Sequence, residues 1–104
     1  MPPIRLTRPT LEVLKVLMAS KPDDPAWGLK ICLEAQLGSG TVYPILERLE
    51  RNGWITATEE SGPHPGRPAR RYYALTSAGA QFTREAFAAR SITLRPAFGE
   101  GNSL

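Results

Sequence analysis

The clearest pattern of apolar and polar positions in this chain lies between Ser39 and Ile55. Four apolar residues recur there at helical spacing and predict a helix with one buried stripe: Val42, Ile45, Leu46 and Leu49. The opposite side is polar and carries Gly40, Pro44, Glu47 and Arg51, with Tyr43 and Arg48 on its flanks. Asn52-Gly53 predicts the end of the helix, because both residue types tolerate the left-handed conformation that closes helices.

The start of this helix is predicted less directly than its end. Ser39 or Thr41 is expected to cap it, since both side chains can accept a hydrogen bond from a free N–H of the first turn. Pro44 is then expected within about the first turn, where its missing N–H costs little.

Two more helices are predicted upstream, over residues 9–20 and 26–36. The first has an apolar stripe and begins at Pro9, a residue that the first helical turn tolerates. The second has Trp27, Ile31 and Ala35 at spacings of four. Short connectors at 21–25 and 36–38 separate the three helices, which is the layout of a helix-turn-helix.

A β-hairpin and a last helix are predicted downstream. Residues 54–59 and 70–75 are rich in β-branched and aromatic side chains, which favours strands, and the Pro- and Gly-rich segment 60–69 predicts an exposed loop between them. Thr76 is expected to cap a helix over 77–90. The sequence therefore predicts an α+β winged helix-turn-helix with three helices, a two-stranded β-wing and a C-terminal helix. The winged domain spans 9–76 after an N-terminal arm (1–8), and the C-terminal helix (77–90) precedes a tail (91–104).

Charge is distributed unevenly over the 104 residues, and its distribution indicates the kind of partner that the chain binds. The formal net charge is +3 and the pI is near 9.4, which favours a polyanionic partner. Residues 61–71 hold Arg67, Arg70 and Arg71 and no acid, so this segment alone accounts for the net charge. Attraction to phosphate is therefore expected from the wing more than from the neutral third helix. Alternation along a strand should send Arg70 and Arg71 to opposite faces.

Several classes of function are excluded by the residues that the chain lacks. With one cysteine and one histidine, Cys32 and His64, it can form neither an intrachain disulfide nor a zinc site. No catalytic set or phosphate-binding loop is present, so we predict no enzyme and no cofactor. No signal peptide or membrane-spanning run is visible, which predicts a cytoplasmic protein. Cys32 is expected in the core, and Trp27 and Trp54 are expected as core or interface anchors. For the phenylalanines the sequence favours neither core nor dimer contacts: Phe82, Phe87 and Phe98.

Three motifs resemble those of the PadR-type winged-helix transcriptional regulators. They are Ser39-Gly40-Thr41-Val42-Tyr43-Pro44 with Leu46 and Leu49, then Gly53-Trp54-Ile55, then Arg70-Arg71-Tyr72-Tyr73 with Leu75, Thr76 and Gly79. The resemblance covers about residues 9–90. Two features depart from the family pattern, namely Leu29 where the family usually has tyrosine and a very short C-terminal helical region.

The resemblance implies a homodimer that binds double-stranded DNA, with the helix over 77–90 and residues 1–12 as the expected dimer contacts. It leaves room for a small-molecule effector of unidentified chemistry. It assigns DNA contacts to the start of the third helix, Ser39, Gly40, Thr41, Tyr43 and Pro44, and to Glu47, Arg48 and Arg51 further along. Arg67, Arg70 and Arg71 are the wing candidates. We expect a repressor on an inverted-repeat operator. Two alternatives remain open: a protein-interaction module on the same scaffold, and a structural role in which Tyr43 packs on a neighbouring helix while Arg48 and Arg51 pair with glutamates.

Overall fold

The structure is a computed structural model, and it describes residues 6–90. Four helices and three short strands follow one another along the chain: α1 Arg8–Ala19, β1 Ala26–Trp27, α2 Gly28–Ala35, α3 Ser39–Arg51, β2 Ile55–Glu59, β3 Arg71–Leu75 and α4 Ser77–Ala89. This order confirms the predicted winged helix-turn-helix. The predicted tail, with Phe98, and the first five residues of the predicted arm lie outside the described residues.

The sheet has three strands in the order β1-β3-β2, all antiparallel, and β1 was not predicted. Ala26 and Trp27 pair with Tyr73 and Tyr72, so the prediction that helix 2 begins at residue 26 was wrong. The helix begins at Gly28 instead. Hydrogen bonds from a distant strand, which local periodicity does not reveal, keep these two residues extended.

The core lies where α1, α2 and α3 meet the sheet and α4. The four apolar residues of α3 are buried as predicted, together with Leu14, Ile31, Ile55 and Phe87. Cys32 is also buried, which confirms its predicted place in the core. The Trp54 ring stacks on Phe82 with the ring centroids 4.5 Å apart. Phe87 is buried within the chain, and Phe82 is half-buried against Trp54.

The end of α3 was predicted correctly, whereas its N-terminal cap was not. Trp54 N–H donates to the Leu49 carbonyl and Gly53 N–H to that of Glu50, at 3.0 Å each, and Gly53 has a φ of 77°. This is a Schellman motif with glycine in the left-handed position.

The N-cap of α3 is Gly38, so neither Ser39 nor Thr41 caps the helix as expected. Pro44 is the sixth helical residue and lies in the second turn, so its expected place in the first turn was also wrong. Thr76 does cap α4 as predicted, since its Oγ1 accepts from Gly79 N–H at 2.9 Å. Within residues 6–90, every helix is too short or too polar to span a lipid bilayer.

Candidate nucleic-acid interface

The outer face of α3 brings the predicted contact residues of this helix together in solvent. The helix buries its apolar stripe, and every candidate on the other side is exposed: Ser39, Gly40, Thr41, Tyr43, Pro44, Glu47, Arg48 and Arg51. Because Gly38 holds the N-cap position, the hydroxyls of Ser39 and Thr41 are not used in capping. Neither forms a side-chain hydrogen bond within residues 6–90, so both remain available to a partner.

Tyr43 combines a packing role with an exposed ring. Its side chain lies against Gly28 at the start of α2, yet 45% of the residue remains exposed. Burial raises the pKa of Tyr43, and the neighbouring Cys32 and Tyr73 raise it further. The phenol therefore stays protonated at neutral pH and can act as a hydrogen-bond donor. Tyr43 therefore packs on a neighbouring helix, as one of the two alternatives predicted, and also carries an exposed polar group.

Gly40 and Pro44 leave the backbone of α3 close to the surface. Pro44 has no N–H, so it cannot donate the usual i+4 hydrogen bond to the Gly40 carbonyl. A β-carbon at Gly40 would meet nothing within 4 Å, so no contact in the described fold requires glycine there. This exposed turn of helix lacks a side chain at one position and a backbone donor four residues later. Glycine and proline at these two positions lower the stability of the helix and add no packing within the described fold.

The arginines of α3 are not tied up by neighbouring glutamates. Within residues 6–90 neither Arg48 nor Arg51 forms an ion pair. Glu50 instead lies 3.4 Å from the Arg71 guanidinium on β3. The alternative in which Arg48 and Arg51 pair with glutamates one turn away is therefore not what the structure shows.

The wing contains an ion pair that the charge count over residues 61–71 did not include. Glu60, just before that segment, accepts two hydrogen bonds from the Arg67 guanidinium, at 2.8 and 2.9 Å. The same carboxylate accepts from the backbone N–H of Arg70 at 3.2 Å and from the Tyr72 hydroxyl at 3.4 Å. The hydrogen bond from Arg67 lowers the pKa of Glu60 to about 2. The interpretation that no acid lies near the wing arginines was therefore wrong. Arg67 joins its part of the wing loop to Glu60 at the start of the loop.

Arg70, just before β3, and Arg71, its first residue, project to opposite sides, as alternation predicted. The guanidinium carbon of Arg70 lies 3.9 Å from the centroid of the Trp27 ring, and that of Arg71 faces Glu50 on α3. The neighbouring Tyr73 phenol, followed by the carboxylate of Glu50, raises the pKa of Arg71. The three wing arginines are thus held in three different ways.

A groove of about 470 Å³ separates the start of α3 from the wing. Its walls come from the β1–α2 junction, from Tyr43 and from the end of the wing loop with β3: Trp27, Gly28, Leu29, Tyr43, Arg67, Pro68, Ala69, Arg70, Arg71 and Tyr73. All three charged residues in this lining are arginines. The groove therefore suits a narrow anionic chain that runs between the helix and the wing.

Three residues that organise this surface were not among the predicted contacts. Trp27 supports Arg70, Gly28 makes room for Tyr43, and Glu60 orders the loop. Glu60 could have been found by extending the charge count one residue upstream. The roles of Trp27 and Gly28 depend on pairing between distant segments, for which the sequence carries no local signal.

Comparison with known proteins agrees with this geometry. The sequence profile described as the transcriptional regulator PadR-like family matches residues 26–85. No curated protein matches the sequence significantly. A solved PadR-like transcription factor from Bacteroides fragilis is 31% identical, with a TM-score of 0.59, and the match covers 78% of this chain and 80% of that one.

Two further solved structures share the fold over most of this chain. A protein of Ralstonia eutropha JMP134 is 27% identical, with a TM-score of 0.61 and coverage of 80% of this chain and 99% of that one. Staphylococcus aureus MepR, solved as a DNA complex, is 25% identical, with a TM-score of 0.64 and coverage of 81% and 63%. Since the profile matches more than half of the residues, the chain belongs to the PadR-like family of transcriptional regulators.

Proposed function

We propose that this protein is a homodimeric repressor that binds specific DNA sequences by placing α3 in the major groove. The observation that carries the proposal is the exposed face of α3, where the hydroxyls of Ser39 and Thr41 have no partner within residues 6–90. A major groove admits one helix, and residues at the helix N-terminus reach the base edges. The DNA complex of MepR supports this docking by analogy of fold.

The side chains of α3 divide the work of recognition by their chemistry. Ser39 and Thr41 hydrogen-bond to bases or phosphates, and the Tyr43 hydroxyl donates while its ring contacts a thymine methyl. Gly40 and Pro44 let the backbone approach the bases closely. Arg48 and Arg51, which have no acidic partner in the described fold, contact phosphates further along the groove. Glu47 lies on the same face and accepts from a cytosine amino group.

The wing supplies most of the affinity that does not depend on sequence. Arg70 and Arg71 flank the groove beside Tyr43, where a sugar–phosphate strand would leave the major groove. Lys and Arg contacts to phosphate release counterions, which gives a salt-dependent affinity. Arg67, paired with Glu60, contributes mainly by fixing the loop.

Dimerisation would place two α3 helices in successive major grooves, about 34 Å apart, on an inverted repeat. The contact between protomers would involve α4 together with residues 1–12, as the family resemblance implies. An effector, if the dimer has one, is a small molecule of unidentified chemistry. The cytoplasm is the proposed site of action.

A gel-shift titration tests the repressor proposal. DNA from upstream of the protein's own gene should bind more tightly than a random duplex of equal length at physiological salt. Equal binding of the two duplexes would contradict sequence-specific recognition. Light scattering at micromolar concentration should show a dimer, and a monomer would contradict the paired half-site arrangement.

A second candidate function is a protein-interaction module on the same scaffold. It is favoured by Leu29 and Leu33, which are one turn apart on α2 and are 52% and 69% exposed. Large apolar side chains in solvent are common at protein interfaces. The same titration separates the two functions, because an interaction module would show no preference among duplexes.

A further inference from the structure

We infer that Trp27 is a positioning residue for DNA binding, because its ring holds the Arg70 guanidinium ready to contact a backbone phosphate in the groove between α3 and the wing. The inference rests on the proposed function and assigns a role to a residue that the sequence predicted only as a core or interface anchor. The one pair of residues that defines it is the stack of Arg70 on Trp27, with 3.9 Å between the guanidinium carbon and the ring centroid.

The stack forms because β1 exists. Trp27 lies directly opposite Tyr72 across the β1–β3 pair, and Arg70 is two residues before Tyr72 in the chain. Since side chains alternate along a strand, Arg70 projects on the same side as Tyr72 and reaches the ring diagonally. Backbone pairing fixes both ends of the contact, so the guanidinium is positioned before DNA arrives.

Among the three wing arginines, Arg70 is the one whose guanidinium remains unpaired within residues 6–90. Arg67 donates both of its terminal nitrogens to Glu60, and Arg71 faces Glu50. The only hydrogen bond that Arg70 makes to an acid in the described fold comes from its backbone N–H, to Glu60. A guanidinium stacked on an aromatic ring keeps its in-plane N–H donors free, and these match phosphate oxygens.

Trp27 and Arg70 line the same groove as Tyr43 and the arginines of the wing. A phosphate in this groove would meet the free donors of Arg70 next to the exposed phenol of Tyr43. Loss of the ring would leave the charge of Arg70 in place but release its side chain to many rotamers. Trp27 therefore contributes to DNA binding through Arg70 and not through a contact of its own.

The test uses the full chain and a DNA fragment that the wild-type protein selects from a random pool. Binding is measured by fluorescence anisotropy between 50 and 200 mM salt, for Trp27→Leu, Trp27→Phe, Arg70→Ala and the double variant Trp27→Leu/Arg70→Ala. Arg70→Ala should reduce the slope of log affinity against log salt by about 0.9, the value for one phosphate on duplex DNA. Trp27→Leu should weaken binding about two- to fivefold, the range of an exposed cation–π contact. Trp27→Phe should retain most of the affinity.

The double variant gives the decisive comparison. If Trp27 acts through Arg70, Trp27→Leu has no further effect once Arg70 is alanine. Two losses that multiply in the double variant would overturn the inference, and so would Trp27→Leu binding as tightly as wild type.

Arg70→Lys keeps the experiment decisive if Trp27→Leu fails to fold. Lysine retains the charge but lacks the flat guanidinium that stacks on the ring. It should therefore weaken binding about two- to fivefold, the loss expected when the stack is missing and the charge remains, and binding equal to wild type would overturn the inference. A wild-type protein that does not discriminate between selected and random DNA would instead overturn the proposed function, and this inference would fall with it.

Discussion

The hydroxyl end of Tyr43 lies directly over the α-carbon of Gly28, where any β-carbon would overlap the phenol. One residue of α3 is thereby positioned by the first residue of α2. The contact gives a physical reason for glycine at position 28. The contact links the helix-turn-helix to the surface that we propose meets DNA.

Gly28→Ala should displace Tyr43 and weaken specific DNA binding more than it changes stability. The displaced group is the end of an exposed side chain that can rotate away, so the fold can accept the methyl group. Specific binding should fall to the level of Tyr43→Ala, as measured by anisotropy with a selected fragment. Thermal unfolding of both variants is the control, and a large loss of stability with unchanged binding would contradict this role for Gly28.

Gly40→Ala should raise stability and lower DNA affinity. The new β-carbon meets nothing within 4 Å, and alanine is favoured over glycine in helices by up to about 1 kcal/mol. On the proposed DNA-binding face, the same methyl group would hold the backbone away from the bases. Chemical denaturation and anisotropy measure the two effects, and a variant that gains stability without losing affinity would remove Gly40 from the interface.

The contribution of the Glu60–Arg67 pair to stability should depend on pH only in the acidic range. The pKa of Glu60 is lowered to about 2 from its usual value of 4.5, so the unfolded chain binds this proton more readily than the folded wing. The stabilising contribution is complete above about pH 4.5 and is lost as the pH falls through about 2. An NMR titration of the Glu60 carboxyl should show this, and Arg67→Ala should return its pKa towards 4.5. A normal Glu60 pKa in the wild-type wing would contradict the pairing.

Gly79→Ala should destabilise the fold, in contrast to the same substitution at Gly40. A β-carbon at residue 79 would overlap the backbone carbonyl of Trp54, which cannot move aside as a side chain can. Overpacking of this kind costs about 1–3 kcal/mol. Thr76→Ala, which removes the cap of the same helix, should cost about 1 kcal/mol. Denaturant melts of Gly79→Ala and Gly40→Ala form a matched pair, and shifts of the same sign would contradict the packing described.

Local signals in the sequence were sufficient for the helices and the wing strands, and insufficient for contacts between them. The end of α3 was predictable because Asn52-Gly53 and the apolar stripe lie within a few residues of one another. The first strand was not, since Ala26 and Trp27 are extended only because β3 pairs with them. The cap of α3 was misassigned because Ser39 and Thr41 are good capping residues, yet the chain uses the backbone of Gly38.

The candidate DNA-binding surface shows the same difference between local signals and contacts made by distant residues. The exposed face of α3 could be predicted residue by residue, because helical spacing decides which side chains point outward. The separate environments of Arg67, Arg70 and Arg71 could not, because each depends on a partner brought there by folding: Glu60, Trp27 and Glu50.

We propose that α3 selects the sequence while the wing arginines supply affinity for any duplex. The most direct test is the ratio of dissociation constants for random and selected DNA, measured at one salt concentration for wild type, Thr41→Ala/Tyr43→Phe and Arg70→Ala. The α3 variant should bind random DNA almost normally and lose most of the ratio. Arg70→Ala should bind both duplexes more weakly and keep the ratio. A ratio of dissociation constants that is lowered by Arg70→Ala but unchanged by the α3 substitutions would contradict this division of roles.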